Sequence, residues 1–167
     1  MKGIKTSIKE LLFGEKFLSI ECRRINAGYC SHAFIINFLK SKIYVETNIR
    51  VRTNSKILFN FNDLWLDKYR NEIADDAFDK MIGIEGSFLS VKLAEVNKDC
   101  KNIFIKNVAL KKYGDLIIYL ENGIIIEIIN DTHLENAIIF TIEDFSSAKE
   151  ITFEIQDLVP RCYVNDL

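Results

Sequence analysis

The sequence predicts a mainly β fold, α+β with few short helices, in which two similar antiparallel β-sheet units from an internal duplication pack on a shared core. Three observations carry this reading. Runs dominated by Ile, Val, Phe and Tyr recur at strand length along the chain. The second half repeats the first, the signature to look for before any local assignment. One proline and seven glycines among 167 residues leave little material for long irregular loops.

The repeat is legible residue by residue. A shift of 81 positions sets residues 36–64 on 117–145 without a gap, matching Ile36 with Ile117, Leu39 with Leu120, Ile43 with Ile124, Glu46 with Glu127, Ile57 with Ile138, Phe59 with Phe140 and Asp63 with Asp144. Upstream the offset falls to 71, so that Phe17, Leu18, Ser19 and Ile20 lie on Phe88, Leu89, Ser90 and Val91, and an insertion of ten residues is expected near 97–112. The units are 1–71 and 72–167. Each is close to the smallest size that sustains its own core, which is why a shared interior is expected.

In the first unit, Ser7-Ile8-Lys9-Glu10 has the form of a capping box, and Gly14 can end the helix in a left-handed conformation. Strands are expected over 16–25, 32–40, 42–49 and 56–62. Residues 64–75 break the alternation and join the units; Trp65 and Tyr69, four apart, would share a face if that piece were helical. In the second unit Asp76 and Asp79 precede Gly83 as the helix signal, and strands are expected over 86–96, 102–111, 115–121, 123–130, 137–143 and 150–156. Both helices are expected to be one or two turns, stable only when packed on a sheet. Asn122-Gly123 predicts a hairpin through a type I′ turn. Residues 150–156 alternate as a strand with one wet face, whereas 124–129 are apolar on both faces except at Glu127, as in a central covered strand.

Charge separates the halves. Residues 1–82 hold 14 basic and 10 acidic side chains, while 83–167 hold 8 and 14. From Asp115 onward 11 acids face only Lys149 and Arg161, a net −9. A surface of that sign repels nucleic acid and steers basic proteins towards it. The acidic residues expected to carry partner contact are Asp131, Glu135, Glu143, Asp144, Glu150, Glu154 and Asp157.

Other chemistries are weaker. Arg23, Arg24, Lys40, Lys42, Arg50, Arg52 and Lys56, interleaved with Tyr44 and Phe59, suit a nucleic-acid surface, but glutamates interrupt the stretch and direct nucleic-acid binding is not expected. Glu46 and Glu127 occupy matching places in the repeat, and a pseudo-twofold axis bringing them together would supply a carboxylate pair for acid/base catalysis. Against that stands ordinary pairing with a lysine on a neighbouring strand. Cys30 and His32, with Cys22 across a hairpin, offer three metal ligands where a structural zinc site needs four, so buried thiols are expected and no metal or cofactor. His133 lies in a loop beside Asp131 and Glu135, and nothing in the order of residues sets it or His32 beside a nucleophile. No enzymatic activity is expected. The apolar runs are far shorter than the ~20 residues that span a bilayer, and the basic start meets Lys9 and Glu10 before a leader can form; a cytoplasmic protein with free thiols is expected.

The unit pattern, a short helix ending in Phe13-Gly14 or Ile82-Gly83, a strand such as Phe88-Leu89-Ser90-Val91, and then the Asn122-Gly123 hairpin between apolar strands, resembles small bacterial proteins. In particular it resembles cytoplasmic immunity proteins encoded beside polymorphic or contact-dependent growth-inhibition toxins. The likeness covers most of the chain. It implies a non-enzymatic protein that neutralises a cognate toxin domain, often a basic nuclease, by binding over its active site. That group shares no common binding motif, so it assigns no residue. The alternative is an intracellular module that binds a small molecule or peptide between the units; self-association through edge strands is a further one.

Overall fold

The computed structural model describes residues 2–24, 32–61, 63, 66, 69–72, 87–130, 136–156 and 159–166. In chain order these form α1 (Lys2–Leu12), β1 (Phe17–Arg24), β2 (His32–Phe38), β3 (Ser41–Val45), β4 (Asn48–Arg52), β5 (Ile57–Asn60), α2 (Phe88–Cys100), β6 (Ile105–Leu110), β7 (Leu116–Leu120), β8 (Ile125–Ile129), β9 (Asn136–Asp144), β10 (Lys149–Gln156) and β11 (Val159–Asp166). The fold is mainly β, with two antiparallel sheets packed together. One sheet runs β1-β2-β3-β9-β10-β11 and the other β5-β4-β8-β7-β6.

Each sheet therefore draws on both halves of the chain. The meander β1-β2-β3 is continued by β9, where Ile43 pairs with Ile142, and the meander β6-β7-β8 is continued by β4, where Ile49 pairs with Ile128. The helices cross over in the same way, α1 packing on β6 and α2 on β1. The sheets are thus not one per half, and strands are exchanged between the halves. Both halves send alternating apolar residues to one interior, and the core runs without a break from Ile8 and Leu12 through Phe34, Ile36, Ile43 and Val51 to Ile118, Ile126, Phe140 and Phe153.

The halves meet at an antiparallel bridge between Lys16 and Phe104. The surroundings of the two residues match. Each follows a helix by way of a left-handed residue, Gly14 with φ 75° and Asn102 with φ 66°. Each strand that follows carries a bulge, between Phe17 and Ser19 and between Ile105 and Asn107. Lys16 accepts from the Leu39 N–H at 3.0 Å and Phe104 from the Glu121 N–H at 3.0 Å. The correspondence here has an offset of 88 residues, Phe17 to Ile105. The gapless 81-residue match instead sets Phe59 of β5 on Phe140 of β9, and these strands hold different places in their sheets: β5 is an edge, β9 is interior.

Local expectations fared unevenly. α1 begins at Lys2, before Ser7, so Ser7 lies within the helix instead of capping it, and the helix is longer than two turns. Residues 88–100 form a helix, not the expected strand: Ser87 caps it by accepting the Ser90 N–H at 3.2 Å, and Leu89, Leu93, Val96 and Cys100 recur at helical spacing on its buried side. The 71-residue offset had laid this helix on β1. The β7–β8 hairpin forms, but only Gly123 has positive φ (85°) and its N–H bonds to the Leu120 carbonyl at 3.1 Å. A three-residue connection ending in a left-handed glycine thus replaces the type I′ turn. The expected strand over 42–49 runs β3 into the start of β4, and β11 has no counterpart among the expected strands. Asp76, Asp79 and Gly83 lie outside the described residues.

Asn97 ties α2 to the edge strand β1, accepting the Ile20 N–H at 2.7 Å and donating to the Ile20 carbonyl at 2.9 Å. Its amide closes one repeat of this edge, which at Phe17 is also bonded to Ile103 and Asn102. Asn97→Ala is expected to cost about 1–3 kcal/mol in urea unfolding and to speed amide exchange at Ile20; unchanged exchange there would show that the clamp is idle.

Candidate functional site

The outer face of the six-stranded sheet is polar and is laid out by strand register. One row runs Ser19, Asn37, Lys42, Glu143, Glu150 and Asn165; the next runs Glu21, Ile35, Tyr44, Thr141, Thr152 and Tyr163. Glu143 and Glu150 stand directly opposite each other on β9 and β10, and Glu154 lies further along β10 on the same side, opposite Arg161. Glu143 accepts from the Tyr44 hydroxyl at 2.9 Å, and Glu150 from Thr152 at 3.4 Å. Lys42 sits beside Glu143 in the register, yet its ammonium lies over the Phe145 ring, 5.5 Å from the centroid. Among the described residues no salt bridge neutralises Glu143, Glu150 or Glu154.

Asp144 points the other way, because successive strand residues face opposite sides. Its carboxylate is 8% exposed and holds the β9–β10 turn, accepting from the Ser146 N–H at 2.9 Å and the Ser146 hydroxyl at 2.6 Å, and from the Ser147 hydroxyl at 2.5 Å. Burial alone would raise its pKa, but these donors outweigh that and hold it below the usual aspartate value. Asp144 is thus committed to the turn, whereas Glu143, Glu150 and Glu154 are brought together on one face. Asp131, Glu135 and Asp157 lie outside the described residues.

The rest of the acidic segment is divided between the sheets. Asp115 accepts the Asn130 N–H at 2.9 Å, and Glu121 lies in the β7–β8 turn. Glu127, 5% exposed in the middle of β8, is bound by Arg50 at 2.6 Å and Arg52 at 2.9 Å from β4. These contacts cross the seam where one half's strand joins the other's, and Tyr44 to Glu143 crosses the matching seam of the other sheet. Burial pushes the Glu127 carboxyl up, but the hydrogen bonds from Arg52 and Arg50 and their positive charge win and hold it below the ordinary value of 4.5.

Sequence reasoning misses this triad and treats its parts separately, the arginines as surface and Glu127 as a possible catalytic partner of Glu46. A signal existed. Arg50 and Arg52 are two apart and share a strand face, and a lone acid inside an apolar run must find cations. Glu46 is exposed beyond the end of β3, its N–H bonded to Ile139 at 3.1 Å, and by the seam register it does not correspond to Glu127. No carboxylate pair forms from these two.

Cys22, Cys100 and Cys162 are free thiols, all raised in pKa by burial, Cys22 to about 12, so none is poised as a thiolate nucleophile. Among the described residues no group of three His, Cys, Asp or Glu side chains is placed to hold a metal ion, and no helix is long and apolar enough to cross a membrane. Cys30, His133 and Trp65 lie outside the described residues; Tyr69 is exposed. Surface grooves occur on the other sheet. One, of about 410 Å³, is lined by Asn54, Lys106, Asn107, Tyr119, Glu121 and Ile125 among others. Comparison of the chain with protein-family models, with curated proteins and with solved structures finds no match.

Proposed function

We propose that this is a non-enzymatic protein-binding protein, an immunity protein that neutralises a cognate basic toxin domain by covering its active site, and that the outer face of the six-stranded sheet makes the contact. The supporting observation is the Glu143–Glu150 pair. Like charges directly opposite on neighbouring strands destabilise a sheet, and here Lys42 is turned away to Phe145 and leaves the pair unneutralised. A cationic surface laid over Glu143, Glu150 and Glu154 would relieve that repulsion, and the same charges would speed encounter.

The test is co-expression with the toxin domain encoded immediately upstream, followed by stopped-flow association with the purified domain. The protein is expected to relieve growth arrest. Converting Glu143, Glu150 and Glu154 to glutamine is expected to slow association about tenfold or more at low salt, with a smaller change in dissociation and no loss of thermal stability. Arrest that persists in the presence of the wild-type chain would reject immunity. An association rate indifferent to both the triple change and salt would reject this face.

A further inference from the structure

A basic groove beside β5 and α2 is not explained by the acidic face. It has a volume of about 400 Å³ and is lined by Lys56, Ile57, Leu58, Asn60, Asp63, Arg70, Phe88 and Lys92. Three of these side chains are cations contributed by three separate segments: the start of β5, the 69–72 turn and the second turn of α2. The segments are tied together. An antiparallel bridge between Leu66 and Glu72 frames the turn, and the Phe88 N–H bonds to the Leu66 carbonyl at 2.7 Å, fixing the start of α2 against it.

Arg70 is held with φ 71°, a left-handed conformation that a residue with a side chain adopts at a cost. That conformation aims the guanidinium across Phe88, 5.0 Å from the ring centroid, while the Lys92 ammonium lies 5.4 Å from the same centroid. One ring thus orients two positive charges beside one groove. Lys92 also pairs with Glu95 at 2.6 Å. Among the described residues Asp63 is the one acid in the lining, and its carboxylate accepts the Asn60 N–H at 2.9 Å. Among the described residues no carboxylate lies within ion-pair distance of Lys56 or Arg70. A second groove, about 220 Å³, shares Ile57 and Asn60 with the first and reaches Arg50.

We infer that this groove binds a multiply charged phosphate group, a diphosphate or the phosphate tail of a nucleotide. The volume lies in the range of small-ligand sites, about 300–1,000 Å³. Arg70 and Lys56, which have no carboxylate partner among the described residues, and Lys92, whose ammonium is shared with Glu95, are the kinds of group that recognise phosphate oxygens. Phe88 already holds its cations, so the ring serves to position charge and recognition falls on the phosphates. The site is independent of the proposed partner face and stands or falls separately.

The test is titration of the intact protein with inorganic pyrophosphate, ATP and adenosine, followed by amide chemical shifts. Pyrophosphate and ATP are expected to bind with dissociation constants below about 1 mM and to shift the amides of Lys56, Arg70, Phe88 and Lys92; adenosine is not. Equal affinities would identify the diphosphate group as the ligand, and tighter ATP binding a nucleotide. Lys56→Gln and Arg70→Gln change exposed side chains and are each expected to weaken binding about tenfold, whereas Lys111→Gln at the far edge of the sheet is expected to leave it unchanged. Absence of shifts at these amides, or equal binding by the Lys56 and Arg70 variants and the wild type, would overturn the assignment.

Discussion

Gly114→Ala is expected to destabilise the protein by about 2–5 kcal/mol, the sum of a backbone and a packing penalty. Gly114 joins β6 to β7 with φ 100°, a conformation that costs an L-residue about 1–2 kcal/mol. A β-carbon built there would sit 2.6 Å from Cε1 of Phe153. Phe153 cannot easily give way. It is 2% exposed and stacks on Phe140 with centroids 5.4 Å apart, so relief requires the turn or β10 to move. The turn belongs to one sheet and Phe153 to the other, which makes this a test of how closely the sheets approach. Urea unfolding of Gly114→Ala, Phe153→Leu and the double variant separates the penalties: the packing part should disappear in the double variant and the backbone part should remain. A loss under about 1 kcal/mol in Gly114→Ala would show that the approach is looser than described.

Removing the buried acid has the next largest effect. Glu127→Ala leaves Arg50 and Arg52 facing each other without a counter-charge. Breaking a fully buried pair costs about 3–5 kcal/mol, but these arginine side chains are 38% and 28% exposed and reach water. The expected loss is therefore about 2–3 kcal/mol. Glu127→Gln keeps the shape and isolates the charge. The folded carboxyl titrates below its ordinary 4.5, so its contribution is complete above that value and disappears as pH falls through the lower folded one. Wild-type stability is thus expected to decline on acidification below about 4.5, and the Gln variant to decline less steeply there. Asp144, also held low, keeps some slope in the variant. Parallel slopes for the two proteins would show that Glu127 is not the titrating group.

What the sequence conveyed depended on whether the determinant was local. β8 is legible because its apolar run is closed on both faces, and β10 because its polar residues alternate with Ile151, Phe153 and Ile155. α2 was misread because four residues, Phe88 to Val91, resemble those at the start of β1; Ser87 followed by Leu89, Leu93 and Val96 is the better guide over a longer window. The exchange of strands is invisible locally. β3 finds β9 and β4 finds β8 only because two cores close at once, and no property of Ile43 or Ile49 names its partner. At the candidate face, segment charge pointed to Glu143, Glu150 and Glu154, yet neighbouring Asp144 could be set apart only by strand parity.

The exchange of strands also governs how the chain can be made. When the ribosome has released only the first half, β3 and β4 each present an unpaired edge, and their partners β9 and β8 are still unsynthesised or inside the exit tunnel. An apolar surface that will become interior stays uncovered for most of translation, a period in which edges can pair with other chains. Closure by pairings so distant in sequence is slow compared with local hairpin formation. The β3 and β4 edges are thus the places where the growing chain is open to wrong pairing, independently of whatever the finished protein later binds.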